Sequence, residues 1–312
     1  MSNQLSLKPS YYEALKRLTL ELAGIQLGDE HTFLVETRLS ALARKEGFDN
    51  LSDMIEELFS RGQTRLAVHV VSSLLERASQ FFEDRTGYET LGDKLLPALH
   101  PIYKGETLRI LSYGCSSGQE VYSTAILADK FAQALPNMTV EITGVDFSSW
   151  ALERAKIGKF THFEVQRGLP IRHLIEYFKR DGEDWVVKEN LRKAVRFVDH
   201  NLLSNPEVLG KFQVVMFRGK LQYYSPTATV SVMRYLSKLV SPGGYVMLGS
   251  DETLGKLNYG FDRQKIAPGC YQKPKIELPK ETPETSSDAT QKHTANLIYE
   301  YGEQNATDSD AA

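Results

Sequence analysis

The chain has 312 residues, of which 41% are hydrophobic and 25% are charged. The length suggests about two domains, and the composition is that of a globular protein that buries a core. A formal net charge of −3 argues against a general nucleic-acid binder, because that class is usually basic. The two cysteines are too few for a disulfide framework or a metal cluster. Since neither a signal peptide nor an apolar stretch of about 20 residues is found, we expect a cytoplasmic protein without membrane insertion.

Residues 1–71 are predicted to form an N-terminal helical domain. Apolar residues recur at helical spacing in three segments, and glycines separate the segments. One face of this bundle is basic, and it is either solvated or a docking surface for an acidic partner helix. The basic residues are Lys16, Arg17, Arg38, Arg44 and Lys45.

Residues 72–88 link the bundle to the next unit and contain the run Arg77-Ala78-Ser79-Gln80-Phe81-Phe82-Glu83-Asp84-Arg85. Two adjacent phenylalanines followed by charges fit ordinary interdomain packing. Because this run comes immediately before an α/β unit, a pocket wall is equally plausible.

A strand, glycine turn, helix and strand follow between Leu108 and Asp146. Gly114 and Gly118 allow a ligand to approach the backbone, and the next helix directs its free N–H groups at the turn. Asp146 ends the second strand, where a carboxylate can accept hydrogen bonds from two ribose hydroxyls. This geometry suits NAD and S-adenosylmethionine equally, but the third glycine of the dinucleotide fingerprint is missing. We therefore favour S-adenosylmethionine over NAD and over a βαβ unit without a ligand.

The second domain is predicted to span residues 89–273, with an insertion at about 158–198. Within the insertion Pro170 opens a helix, Asp181-Gly182 signals a tight turn, and residues 185–187 and 195–198 are predicted as short strands of a separate antiparallel sheet. The parent sheet then resumes at residues 212–217, and Arg218-Gly219 follow at its ligand-binding edge.

Residues 274–312 are rich in Pro, Glu, Thr, Ser and Asp, and they are predicted to be a disordered acidic tail. The segment Leu297–Tyr301 within it is either a short partner-binding motif or unstructured.

Several segments occur in a characteristic order along the chain. They are Gly24–Leu27 and Leu34–Leu39 in the bundle, Ser79–Asp84, Gly114–Ser123, Phe163–Pro170 at the start of the inserted subdomain, Phe217–Tyr224 and Gly249–Glu252. Together they resemble the chemotaxis receptor methyltransferases of the CheR family, whose patterns are T-x-F-F-R-D for Ser79–Asp84, G-C-S-T-G-E-E-P-Y-S for Gly114–Ser123, C-R-N-V-L-I-Y-F for Phe217–Tyr224 and G-x-x-E for Gly249–Glu252. The resemblance extends over nearly the whole chain to about Lys273.

The resemblance implies an α/β fold with a Rossmann-like class I methyltransferase core, an inserted small antiparallel β-subdomain and a preceding all-α bundle. It also implies methyl transfer from S-adenosylmethionine to receptor glutamates, with S-adenosylhomocysteine as product. The partner would be the cytoplasmic helices or the C-terminal tail of a chemotaxis receptor. The implied cofactor-binding positions are Arg77, Ser79, Glu83, Gly114, Gly118, Glu120, Asp146, Asn201, Leu202, Arg218 and Gly219, and the implied catalytic positions are Tyr223 and Arg85.

Arg77, Glu83 and Gly219 depart from the family pattern, which has Asn, Arg and Asn there. A glutamate near the transferred methyl group would repel the acceptor carboxylate by roughly 4 kcal/mol at 4 Å and an effective dielectric of 20. We expect either that Arg77 pairs with Glu83 or that Arg85 replaces the missing guanidinium. The alternative function is a catalytically impaired relative that binds S-adenosylmethionine or a receptor and acts as a regulator or adaptor.

Overall fold

The computed structural model describes residues 7–61, 64–75, 79–134, 137–201, 203–255 and 258–275. Arg77, Leu202 and the tail beyond residue 275 therefore lie outside the described residues. None of the described helices has both the length and the apolar character that crossing a bilayer requires.

The N-terminal bundle has four helices, one more than the apolar spacing predicts. Its core is formed by Leu15, Leu39, Met54, Ile55 and Val70, which are fully buried. The first helix ends at Gly24 in the left-handed conformation (φ 70°), and the Gly24 N–H caps the Leu20 carbonyl. The helices are α1 Pro9–Ala23, α2 Thr32–Lys45, α3 Leu51–Arg61 and α4 Thr64–Leu75.

The second domain is built on a seven-stranded sheet. The strands are β1 Thr107–Tyr113, β2 Thr139–Asp146, β6 Val195–Asp199, β7 Phe212–Met216, β8 Val240–Met247, β9 Asp262–Arg263 and β10 Cys270–Gln272. Their spatial order is β6-β2-β1-β7-β8-β10-β9, with parallel pairing from β6 to β8 and antiparallel pairing of β8, β10 and β9. The strand order reverses beside β1, which is the point at which open α/β sheets bind ligands.

Alternate residues of a strand point to opposite faces of the sheet. Both faces of this sheet carry apolar residues, and helices cover both. Ile110 and Val214 face one apolar cluster, whereas Leu111 and Val215 face the other. The helices are α5 Arg85–Thr90, α6 Leu96–Leu99 after a π-helical turn Leu91–Leu95, α7 Gln119–Ala134, α8 Ser149–Ile157 and α12 Pro226–Leu239, and short 3-10 turns occur at Asp29–His31, Pro206–Leu209 and Leu221–Tyr223.

The insertion forms a three-stranded antiparallel sheet in the order β3 (Lys159–Phe160), β5 (Asp184–Val187), β4 (Phe178–Asp181). The prediction that residues 195–198 belong to it is wrong, because Val195–Asp199 pairs in parallel with β2 and forms the outer strand of the main sheet. The connection from β2 to this parallel strand runs through α8, the insertion and a short helix (Glu189–Lys193), and α8 packs against both strands. The elements of the insertion are β3 Lys159–Phe160, α9 His162–Gln166, α10 Ile171–Tyr177, β4 Phe178–Asp181, β5 Asp184–Val187 and α11 Glu189–Lys193.

The segment after α1 docks against the loop that follows β7. Gln26 N donates to Tyr223 O (3.1 Å), Ser225 N donates to Gly24 O (2.9 Å), and Ile25 forms an antiparallel bridge with Tyr224. The helical bundle therefore closes one side of the sheet edge at which the predicted site lies.

Candidate active site

Two adjoining cavities lie at the carboxyl ends of β1, β2 and β7. They share Gly114, Ser116, Lys220 and Tyr223 in their linings. The first cavity, which we call the adenosine cavity, is bordered by Asp146, Asn201 and the end of α1. The second, which we call the methyl cavity, is bordered by Ser79, Glu83, Glu120, Arg218, Gly219 and Arg38.

Asp146 lies at the end of β2 with its carboxylate fixed by the backbone. Oδ2 accepts the Ser116 N–H (2.8 Å) and Oδ1 accepts the Ser148 N–H (2.9 Å). Burial raises the pKa of Asp146, and these two N–H groups oppose the rise. A carboxylate oxygen that accepts one hydrogen bond can accept another, so this group suits a ligand with two neighbouring hydroxyls.

The turn between β1 and α7 depends on its glycines. Gly114 has φ 69° and Gly118 has φ 95°, values at which a side chain is strained. The N–H groups of Gly114 and Cys115 both donate to Val145 O, which ties the turn to β2. A Cβ atom at Gly118 would lie 3.0 Å from the Cβ of Ala155. Gly114 thus exposes its backbone to the cavities, and Gly118 allows α8 to pack closely.

Glu120 lies in the first turn of α7 and reaches back to the end of β1. Its Oε1 atom accepts the Ser112 hydroxyl (2.5 Å) and lies 3.8 Å from Lys220 Nζ. The side chain of Glu120 is 13% exposed, so its charge faces the cavity more than bulk solvent. This position suits a cationic ligand group.

Arg218 follows β7 and holds the segment that precedes α5. Its Nη2 lies 2.9 Å from Asp84 Oδ2 and donates to the carbonyls of Glu83 and Asp84, and its guanidinium stacks over Tyr88. Burial opposes ionisation of Asp84, but Arg218 and the Ser250 N–H outweigh it and lower the pKa of that carboxyl. Nε of Arg218 is buried, has no hydrogen-bond partner among the described residues, and lies against Gly87, where an added Cβ would approach it to 2.8 Å.

Glu83 lies on the wall of the methyl cavity, with its side chain exposed. Its neighbours Phe82 and Asp84 both have φ 49°, a strained conformation for residues with side chains. The contacts of Arg218 with this segment hold that conformation. The pairing predicted between Arg77 and Glu83 remains a prediction, because Arg77 lies outside the described residues.

Gly219 adopts φ 65°, and an added Cβ would meet no atom within 4 Å. Asparagine tolerates this left-handed conformation better than most residues, so glycine preserves the backbone that the family motif has. The Gly219 N–H donates to Glu252, whose carboxylate also accepts the N–H groups of Leu221 and Gly249. Glu252 thereby joins the loops that follow β7 and β8.

The structure places most of the predicted site residues along the two cavities. Arg85 is different, because its side chain is 86% exposed and pairs with Glu89 (2.7 Å) on α5, outside both cavities. The side chain of Asn201 donates to Leu22 O (2.7 Å) and accepts from Leu203 N (2.9 Å), so it also anchors α1. The residues that line a cavity are Ser79, Glu83, Gly114, Glu120, Asp146, Asn201, Arg218, Gly219 and Tyr223.

Sequence reasoning missed the roles of Ser112, Lys220 and Glu252, and it assigned Arg38 only to a basic face. Arg38 lies on α2, yet it borders the methyl cavity and donates to Leu74 O (2.8 Å). Its place in the site depends on how the bundle docks, which no local pattern encodes. Glu252 is the last residue of the segment that resembles the family's G-x-x-E motif, so sequence similarity could have identified it. Lys220 lies in the segment that resembles C-R-N-V-L-I-Y-F, but that motif has no lysine at this position.

The order of the strands, the glycine turn and the acid that ends β2 define a class I methyltransferase fold with a nucleoside site. A family model described as "CheR methyltransferase, SAM binding domain" matches residues 77–270. The chain belongs to the CheR methyltransferase family.

Curated relatives align over most of their length. The chain is 32% identical to the chemotaxis protein methyltransferase Cher2 of Pseudomonas putida over 262 residues, 82% of this chain and 95% of the relative. It is 31% identical to chemotaxis protein methyltransferase 1 of Pseudomonas aeruginosa over 268 residues, 85% of this chain and 97% of the relative. A chemotaxis protein methyltransferase of Vibrio parahaemolyticus is also 31% identical, over 84% of this chain and 96% of the relative.

The residues of the two cavities fit S-adenosylmethionine. The Asp146 carboxylate has acceptor capacity for ribose hydroxyls, and Glu120 offers a negative charge for the cationic methionine end. Arg218 adds a positive charge to the wall of the methyl cavity. S-adenosylmethionine is therefore the cofactor that both the family and the geometry identify.

Proposed function

We propose that this protein transfers methyl groups from S-adenosylmethionine to glutamate side chains of chemotaxis receptors in the cytoplasm. The main support for the proposal is the position of the two adjoining cavities. Asp146 borders one, Glu120 borders the other and Tyr223 borders both, and all three residues lie inside the segment that the family model matches. The names of the relatives support a chemotaxis substrate and support the enzyme over the catalytically impaired regulator.

The acceptor needs no general base. A glutamate side chain has a reference pKa of about 4.3 and is ionised at pH 7. The bound cofactor supplies an electrophilic methyl group on a sulfonium. The residues of the chain therefore have to hold the acceptor carboxylate in line and keep water out.

We assign the binding of the acceptor carboxylate to Tyr223 and Arg38. Tyr223 borders both cavities, so it lies where the cofactor and acceptor compartments meet. Arg38 borders the methyl cavity, and its hydrogen bond to Leu74 O holds the guanidinium in place. Arg38 thus takes the charge-positioning role that the sequence analysis gave to Arg85.

The receptor would approach along α2, which also carries the exposed residues Arg44 and Lys45. Its cytoplasmic helices or C-terminal tail are the segments that we propose to be recognised. An acidic helix would be attracted by this face at low ionic strength. Glu83, which also borders the methyl cavity, is the charge that disfavours such an acceptor.

The test is methyl transfer from labelled S-adenosylmethionine to receptor-containing membranes, with wild type, Tyr223→Phe and Tyr11→Phe. A hydrogen bond to a charged group contributes about 1.5–3 kcal/mol, so Tyr223→Phe should lower kcat roughly tenfold to hundredfold with unchanged S-adenosylhomocysteine binding. Tyr11 is a matched control, because its hydroxyl bonds an exposed Glu56 far along the bundle. Wild type that binds S-adenosylhomocysteine but leaves receptors unmethylated would instead support the regulator.

A further inference from the structure

Lys220 occupies the junction of the adenosine and methyl cavities. Its aliphatic chain crosses the glycine turn, so that a Cβ atom on Gly114 would lie 2.6 Å from Lys220 Cε and 2.8 Å from Cδ. Its ammonium donates to Arg218 O (2.9 Å), and the side chain is only 20% exposed. The lysine is therefore anchored in the cleft and does not extend into solvent.

The ammonium of Lys220 acts on both carboxylates of the cofactor site. It lies 3.8 Å from Glu120 Oε1. It also acts on Asp146, where its charge opposes the burial that raises the pKa of that carboxyl. A positive charge thus stands between the group suited to ribose and the group suited to the methionine end. Because the Lys220 side chain is 20% exposed, added salt screens part of this charge.

S-adenosylmethionine and S-adenosylhomocysteine share the adenosine and the amino-acid groups, and they differ in the methyl group and the sulfonium charge that accompanies it. We propose that Lys220 discriminates between these two ligands by charge, weakening the binding of the cationic methyl donor relative to the neutral thioether product. The chain would then be sensitive to the ratio of donor to product, and a rise in product would inhibit it strongly. This inference rests on the cofactor part of the proposed function and is independent of the methyl acceptor.

The test compares dissociation constants for the two ligands by calorimetry in wild type, Lys220→Met and Lys193→Met. Methionine keeps an unbranched side chain as far as the Cε position and lacks the ammonium group. Lys193 is the matched control, because it also pairs with a glutamate (Glu189, 2.7 Å) but its side chain is 76% exposed and lies outside both cavities. Lys220→Met should tighten S-adenosylmethionine relative to S-adenosylhomocysteine by roughly tenfold, the range of one charge–charge interaction in a cleft. Lys193→Met should leave the ratio unchanged.

A salt series on the wild type provides a second measurement, and its result does not depend on whether a variant folds. Added salt screens the repulsion, so the affinity for S-adenosylmethionine should rise relative to that for S-adenosylhomocysteine. Lys220→Gln, checked by its thermal unfolding, should remove that salt dependence.

Three results would overturn the inference. Equal tightening of both ligands by Lys220→Met would make the lysine a steric obstacle without charge selectivity. Equal weakening would make it a binding group for the ligand carboxylate. If the wild type binds neither ligand, the cofactor assignment fails together with the inference, whereas an unchanged ratio with both ligands bound refutes the inference alone.

Discussion

Reversal of the charge at Glu83 tests whether this residue limits methyl transfer. The carboxylate borders the methyl cavity, but the side chain is exposed, so the local dielectric is close to that of water. Two unit charges 4 Å apart then interact by about 1 kcal/mol, in place of the roughly 4 kcal/mol expected for a partly buried pair. The glutamate should therefore slow the reaction about fivefold without abolishing it. Replacement by arginine turns the repulsion into attraction, a change of about 2 kcal/mol or roughly thirtyfold.

The assay is the rate of labelled methyl incorporation into receptor membranes at saturating cofactor, read as kcat/KM for the receptor. Glu83→Gln should raise this value about fivefold and Glu83→Arg roughly thirtyfold at low salt, with smaller gains at high salt. Glu89→Gln is the matched control, because Glu89 lies on the same segment but pairs with Arg85 outside the cavities. An unchanged or lower kcat/KM in Glu83→Arg, with S-adenosylhomocysteine binding intact, would refute the reasoning.

Two further substitutions test the cofactor site and its support. Asp146→Asn should weaken S-adenosylhomocysteine binding roughly tenfold to hundredfold by calorimetry, because it removes the charge that strengthens two ribose hydrogen bonds; unaltered affinity would contradict the assignment. Asp84→Asn should lower the free energy of unfolding by roughly 3 kcal/mol at pH 7 in denaturant titrations, because it leaves the buried Arg218 without its anion. The pKa of Asp84 is lowered in the folded protein, so this contribution is present above about pH 4 and is lost as the pH falls through the folded pKa. The difference between wild type and Asp84→Asn should therefore shrink in acid, and a constant difference would exclude this origin.

The nucleoside site was predictable because its signals are local. A buried strand, two glycines and a helix start lie within one short segment, and the acid that ends β2 follows from where that strand stops. The positions of Gly114, Glu120 and Asp146 relative to one another are set by this segment and do not depend on distant parts of the chain. The family resemblance then predicted Ser79, Arg218 and Tyr223, which the structure brings to the same cavities.

The errors concern partners that sequence spacing does not encode. Residues 195–198 form a strand in either arrangement, and sequence spacing does not reveal that they pair with β2 and not with the inserted sheet. Arg85 was one of two groups offered to compensate for Glu83, and the structure places it beside Glu89 on α5, outside both cavities, a position that the family motif does not indicate. The role of Lys220 depends on the direction of a side chain over Gly114, which is set by tertiary packing.

The most direct measurement of receptor methylation is tandem mass spectrometry of receptor peptides after incubation with this protein and S-adenosylmethionine. We predict methyl esters on glutamate side chains, released by mild alkali, and fewer of them with Asp146→Asn at S-adenosylmethionine concentrations below saturation. Peptides that carry no ester, or a methyl group on another side chain, while the protein binds S-adenosylhomocysteine, would contradict transfer to receptor glutamates.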